Sequence, residues 1–234
     1  MKVKQHQIKD VAILDIPSES RIWPATKNLN PGTSVYGERL FKDPSDKTIE
    51  WRAWDPYRSK LGSCILSKMK GIPDNFKDLR ILYLGASTGT TVSHVSDIIG
   101  KDGKGICYAL EFSVRVARRL IQLSQQRENI IPIVADARYP ERYNSTVFEV
   151  DFVFQDISQT NQAQIFIDNV FAFLKSGCIG LFIVKAHSID STSTLEIITD
   201  QQVEQLKESG LEILEVLDIS AYEKQHSAIL VKRP

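Results

Sequence analysis

The segment Gly85-Ala86-Ser87-Thr88-Gly89-Thr90-Thr91 joins an apolar run, Ile81 to Leu84, to an amphipathic stretch, Val92 to Ile99. Two glycines in such a loop let the backbone turn tightly and approach a ligand, and the N–H groups opening the next helix would face an anionic or polar group. Glu111, near the end of ICYALEF, lies 22 residues past Gly89. A carboxylate about 20 residues beyond a loop of this kind is placed to hold a pair of ribose hydroxyls. The third glycine of a dinucleotide fingerprint is missing, which favours a mononucleoside cofactor such as S-adenosylmethionine over a dinucleotide. Taken alone, the loop could equally be a plain strand-to-helix turn. Asp136, Asp156 and Lys185 also close apolar runs. An amine ending FIVK is costly to bury unless it is paired or functional; its bland alternative is a lysine snorkelling from a strand terminus.

These residues need a frame that gathers strand ends on one rim. GICYALEF, IIPIVAD, VDFVFQDI and CIGLFIVKAHS read as strands, and SVRVARRLIQLSQQ, TNQAQIFIDNVFAFLK and STLEIITDQQVEQLKESG as helices. Repeated βα units imply a mostly parallel sheet with helices on both faces, and ligands then bind beyond the carboxyl ends of the strands. LEILEVLDIS and HSAILVKRP, joined by only AYEKQ, are too close for a crossover and must form an antiparallel hairpin at the sheet edge. The expected class is α/β, a Rossmann-like S-adenosylmethionine-dependent methyltransferase fold over residues 55–234. Residues 1–54 differ in texture: VAILDI, SRIWPA and TSVYGERL, separated by Pro17, Pro24, Pro31 and Gly32, predict a small β-rich N-terminal subdomain of short strands and turns. In WRAWDPYRSKLGSCILSKMKG, the stripe of Leu61, Ile65, Leu66 and Met69 predicts a helix starting at Asp55-Pro56. The charges of Arg58 and Lys60 then read most simply as its solvated end.

The balance of 29 basic and 29 acidic residues leaves no net charge. A chain that bound nucleic acid strongly by itself would usually be basic, so any such role must rest on a local patch or on partners. No apolar run reaches the roughly 18 residues of a membrane span and MKVKQHQIKD lacks a signal-peptide core, so a cytoplasmic or nuclear location is expected. Cys64, Cys107 and Cys178 are odd in number, far apart and set among apolar residues; they read as reduced core thiols, with no disulfide framework and no metal site.

WDPYRSKLGSCI, YLGASTGTTVSHVSDIIG, YALEFSVRVARRL, RENIIPIVADAR, QDISQTNQA, IVKAHSID and YEKQHSAILV occur in order over nearly the whole chain. Together they resemble the fibrillarins, the RNA 2′-O-methyltransferases of box C/D ribonucleoproteins. With only 12 glycines and no Gly/Arg-rich tail, the likeness is to the archaeal form, which implies a cytoplasmic location. Thr160 stands where the family usually has proline.

The resemblance implies S-adenosylmethionine as cofactor, held by the Gly85-Ala86 turn, with Thr90 and Thr91 at its methionine end, Glu111 and Phe112 at the ribose and adenine, Asp136 and Ala137 at the adenine edge, and Asp156, Ile157, Ser158 and Gln159 beside the methyl. Each fits independently: Glu111 can accept from both ribose hydroxyls, Phe112 offers an apolar face, and Asp136 can accept from an amino group. The family's Lys-Asp-Lys-His set maps onto Lys60, Asp156, Lys185 and His226. Lys185 is the expected base for the ribose hydroxyl and Asp156 its orienting partner. His6, His94 and His187 read as structural. The implied partners are a Nop-domain scaffold protein, a kink-turn-binding ribosomal-type protein, a box C/D guide RNA and target ribosomal or transfer RNA, with no membrane. Two other readings remain at this stage: a protein or small-molecule methyltransferase on the same fold, and a non-catalytic assembly subunit.

Overall fold

In the computed structural model, residues 1–19, 21–101 and 103–234 are described. Ser20, which opens the stretch SRIWPA, lies outside them. The N-terminal part is an antiparallel sheet of β1 (Lys2–Gln5), β2 (Val11–Asp15), β3 (Ile22–Lys27), β4 (Leu40–Lys42) and β5 (Glu50–Ala53), in the order β1-β2-β3-β5-β4. Lys2 and Lys4 are exposed along the β1 edge, where lysines discourage pairing with another strand.

After α1 (Lys60–Leu66), the chain alternates. The second sheet contains β6 (Arg80–Leu84), β7 (Ile106–Glu111), β8 (Ile130–Val134), β9 (Val150–Gln155), β10 (Leu174–Lys185), β11 (Glu212–Asp218) and β12 (His226–Lys232). Its helices are α2 (Thr90–Ile99), α3 (Val114–Ser124), α4 (Gln162–Phe173), α5 (Ala186–Ile189) and α6 (Leu195–Glu208). The strand order is β11-β12-β10-β9-β6-β7-β8, and only β12 runs antiparallel to its neighbours. The chain builds outward from β6 to β8, then returns to β9 on the other side of β6. That reversal opens a crevice at the carboxyl ends of β6 and β9.

The apolar runs are continuous because both faces of this sheet are covered. Along β6, Ile81 and Tyr83 join a core with α1, α2 and Trp54, whereas Leu82 and Leu84 join a second core with α4 and α6. The N-terminal sheet is bound to the first face by buried charge. Asp97 of α2 accepts from Arg52 Nε of β5 at 2.8 Å, Arg127 Nη1 at 2.6 Å, Thr26 Oγ1 at 2.6 Å and the Leu29 amide at 3.0 Å. Since Thr26 gives its proton to Asp97, it accepts from His94 Nδ1 at 2.8 Å; His94 Nε2 in turn accepts from the Tyr36 hydroxyl at 2.7 Å. Burial first, then the Arg52 and Arg127 cations, hold the His94 pKa well below its ordinary value, so the ring is neutral, stacked 4.7 Å from Trp54. The structural reading of His94 fits this setting.

Several expectations are corrected. The helix expected from Asp55-Pro56 starts at Lys60, because Ser59 is the residue whose hydroxyl accepts from an amide of the first turn, that of Gly62 at 3.3 Å. Met69 is buried but lies past the helix end. TSVYGERL is mainly loop, tied by Glu38, which accepts from the amides of Val35 and Tyr36. The strand expected through CIGLFIVKAHS ends at Lys185, and Ala186 to Ile189 turn into α5. Cys64 and Cys107 are buried, but Cys178 is half-buried near the start of β10. No helix among the described residues is long and apolar enough to cross a membrane.

Candidate active site

The carboxyl ends of β6, β7, β8 and β9 enclose a cleft of about 290 Å³. Of the expected cofactor residues, Gly85, Glu111, Phe112, Asp136, Ala137, Asp156, Ile157, Ser158 and Gln159 line it. Ser87, Leu110, Arg138 and Ile165 line it as well and were not foreseen. Ser87 and Arg138 lie within two residues of expected ones, and this spacing was the available signal. Ala86, Thr90 and Thr91 do not line the cleft. The Ala86 amide is taken by the Leu110 carbonyl at 2.9 Å, and Thr91 is buried with its hydroxyl donating to Ser59 Oγ at 3.0 Å.

Each wall is fixed locally. Gly85 has φ +87°, and a Cβ there would lie 2.5 Å from the Asp156 carbonyl oxygen, so only glycine lets the β6 and β9 ends close together. Gly89 has φ +91° and precedes α2 with no side-chain cap. The Glu111 carboxylate accepts from the Ser87 amide and the Ser113 amide, both at 2.8 Å, which aims it while leaving further lone pairs free. Phe112 is 68% exposed, a ring with one face available to a planar partner. The Arg138 guanidinium, hydrogen-bonded to Asp136, holds the Asp136 carboxyl below the usual carboxylate range. Free lone pairs, an open aromatic face and a backbone cradle suit an adenosine-bearing group. No cluster suited to a metal ion occurs among the described residues.

Asp156 is the hinge between this cleft and the second set of residues. Its Oδ1 lies 2.7 Å from Lys185 Nζ and its Oδ2 lies 3.8 Å from Lys60 Nζ. Lys185 Nζ also donates to the Asp156 carbonyl at 3.1 Å and Ser158 Oγ at 3.3 Å, two hydrogen bonds beside the ion pair. The buried Gln162 clamps the Lys185 backbone from both sides, accepting from its amide at 2.9 Å and donating to its carbonyl at 3.2 Å. His226 is the cross-strand partner of Lys185. Its Nδ1 lies 2.7 Å from the Lys224 carbonyl, which can only accept, so Nδ1 carries the proton and Nε2 is the acceptor nitrogen. Burial, assisted by the Lys60 and Lys185 cations, lowers the His226 pKa against the opposing Lys224 carbonyl and Glu223. Glu223 Oε1 stands 3.2 Å from Lys60, closer than Asp156 does. Neither Glu223 nor Gln162 was foreseen, although both fall inside the quoted stretches YEKQHSAILV and QDISQTNQA. The expected Lys60, Asp156, Lys185 and His226 thus meet from four separate elements, while His187 is exposed on α5.

The doubly wound sheet with one reversed strand and a cleft at its switch point has the fold of S-adenosylmethionine-dependent methyltransferases. Within that class the sequence model of the Fibrillarin family matches residues 3–234, and the chain belongs to the fibrillarin family. It is 45% identical to the fibrillarin-like rRNA/tRNA 2′-O-methyltransferase of Thermococcus gammatolerans, over 100% of both chains. Among solved structures, Aeropyrum pernix fibrillarin with natively bound S-adenosyl-L-methionine superposes with a TM-score of 0.88 at 38% identity, covering 99% of this chain and 98% of that one. A fibrillarin from a fibrillarin/Nop5p complex gives 0.83 at 36% identity, covering 97% and 99%.

Proposed function

We propose that this protein transfers a methyl group from S-adenosylmethionine to the 2′-hydroxyl of RNA ribose, as the catalytic subunit of a box C/D guide ribonucleoprotein acting on ribosomal and transfer RNA. The observation that carries this reading is Asp156, which lines the cofactor cleft and at the same time pairs with Lys185 and Lys60. A cofactor in the cleft whose methyl end lay at Asp156 would stand beside that pair. The cofactor supplies the methyl group on a cationic sulfur. Glu111 would accept from the ribose hydroxyls, Phe112 would cover the adenine, and Asp136 with Ala137 would meet its edge. Gly85 and Ala86 shape the turn, Thr90 and Thr91 frame its far side, and Ile157, Ser158 and Gln159 wall the methyl end.

A ribose hydroxyl is a poor nucleophile at neutral pH, and a positioned base contributes about 10²–10⁴-fold. Lys185, as the free amine, would take the hydroxyl proton as the oxygen–carbon bond forms and the methyl's bond to sulfur breaks, its electron pair staying on the sulfur; Asp156 would aim the amine, Lys60 balance the Asp156 charge, and His226 Nε2 offer a second acceptor at the same rim. Residues 1–54 serve as a subdomain supporting the methyltransferase domain of residues 55–234. Targeting is delegated to a Nop-domain scaffold protein, a kink-turn-binding ribosomal-type protein and a guide RNA, because a chain with 29 basic and 29 acidic residues lacks a general affinity for RNA. A cytoplasmic location follows from this reading.

The test is transfer of labelled methyl from S-adenosylmethionine to target RNA, with scaffold, kink-turn protein and guide added one at a time. Methylation only in the complete mixture is expected. Strong methylation of free RNA by the chain alone would overturn the guided reading, and methylation of protein instead of RNA would overturn the substrate.

A further inference from the structure

The loop of residues 85–90 has two working sides. Gly85 and Ser87 face the cofactor cleft, whereas Thr88 and Thr90 face a separate hollow of about 440 Å³. Arg58, Arg119, Tyr36 and Thr33 line that hollow, and among the described residues no carboxylate lines it. The Arg58 guanidinium lies over the Tyr36 ring, 4.9 Å from its centre, which orients it without neutralising it. Neither arginine has an ion-pair partner among those found for the described residues, in contrast to Arg52 and Arg127, which are both paired with Asp97. Arg119 continues into Arg115 and Arg118 on the exposed side of α3, a helix with no acidic residue. In a chain of balanced charge this is a local excess of cations.

Arg58 lies two residues before Lys60 of the catalytic set, and Thr88 and Thr90 belong to the same loop as Gly85 and Ser87 of the cofactor cleft, so the hollow borders both. Planar guanidinium groups match a phosphate in two-point fashion, and threonine hydroxyls supply neutral donors beside them. We propose that this hollow binds a phosphodiester of the RNA strand being modified, and that Arg58 and Arg119 hold the backbone in register so that the target ribose falls at Lys185. The inference rests on the RNA-methylating function proposed above and names the contact by which this chain holds its substrate. It also gives Thr88 and Thr90 a role distinct from cofactor binding.

The experiment uses the reconstituted particle with a guide-matched oligoribonucleotide and compares Arg58→Ala, Arg119→Ala, the double variant and Arg119→Lys with the parent. Methyl-transfer kinetics are followed between about 50 and 200 mM salt, a range over which phosphate contacts weaken measurably. RNA retention by the particle without cofactor is measured alongside, so that the site is decided even where turnover is absent. Each alanine variant should raise KM and the RNA dissociation constant several-fold and flatten the logarithmic salt dependence by about 0.7 per arginine, with kcat and cofactor affinity kept. Arg119→Lys should restore most of the slope. Unchanged RNA retention and slope in the double variant would overturn the inference. Weakened S-adenosylmethionine binding by calorimetry would assign the hollow to the cofactor's carboxylate instead, and loss of scaffold binding without RNA would assign it to an acidic protein surface. An inactive parent particle would overturn the functional reading, while the retention series would still decide the hollow.

Discussion

Two carboxylates in this molecule each stand between two cations, and their settings differ. Asp97 lies between Arg52 and Arg127, at 2.8 and 2.6 Å, with its side chain fully buried. Asp156 lies between Lys185 and Lys60, at 2.7 and 3.8 Å, with 13% of its side chain exposed. Arginine does not give up its proton in proteins and spreads its donors over a rigid fork, so the first cluster can only hold structure. Lysine carries a compact charge that it can release, so the second cluster can hold a proton or pass it on. The same arrangement of charges thus serves as a joint in one place and, in the function proposed here, as the reaction centre in the other.

The sharpest way to break the comparison is to remove each carboxylate's function in turn. Asp97→Ala leaves Arg127 buried and unpaired and Arg52 with Glu38 as its remaining carboxylate, and chemical denaturation should show a loss of about 3–5 kcal/mol, or no folded protein at all. A loss under about 1 kcal/mol would mean that the existing Glu38–Arg52 pair and water reaching Arg127 are enough to satisfy both cations. At the rim, Lys185→Ala should cut single-turnover methyl transfer by about a hundredfold or more while changing stability by less than about 1 kcal/mol and leaving cofactor affinity nearly intact. Normal rates would remove Lys185 as the base.

Glu111→Ala tests the cleft apart from either cluster. Loss of a charged acceptor should weaken S-adenosylmethionine binding by about 1.5–3 kcal/mol in calorimetry, and unchanged affinity would remove it from the ribose. The smallest effect concerns pH. The folded state holds the His94 pKa well below its ordinary value of 6.5, so below about pH 6.5 the unfolded chain takes up a proton that the native chain does not. Stability should therefore be level with respect to His94 above that pH and fall on acidification, by at most about 1.4 kcal/mol per pH unit. His94→Gln should flatten that fall, whereas His226→Asn, at the more open rim, should flatten it less. Equal flattening by both would erase the distinction between a dry joint and a reachable centre.

Much of the cleft was legible because Gly85, Glu111, Asp136 and Asp156 sit at or just past the ends of apolar runs, closed by Leu84, Leu110, Val134 and Phe154, whereas Ile165, inside α4, gave no such signal. Position at a strand end is a local property, and periodicity finds it. The joint was not legible. Arg52 and Asp97 are 45 residues apart, and β5 was not among the strands read in the N-terminal region because Glu50 and Arg52 are buried for tertiary reasons that no local pattern carries. Glu223 was missed for a similar reason, since its pairing with Lys60 depends on a turn returning across the rim. The start of α1 was misplaced because Asp-Pro is a sound start signal, yet Ser59 won the competition by capping Gly62.

Strand β12 sits between β10 and β11 although it is the last of the three in the sequence, and it carries His226 to the position opposite Lys185. During synthesis, a chain that has emerged only as far as β11 has six of the seven strands of this sheet and an almost complete cofactor cleft, but β10 still has an open edge and β11 has no neighbour to pair with. Proteins synthesised at about 5–20 residues per second expose such an edge for a second or more, long enough for a chaperone or another nascent chain to find it. Insertion of β12 therefore closes a sticky edge and brings His226 opposite Lys185 in one event.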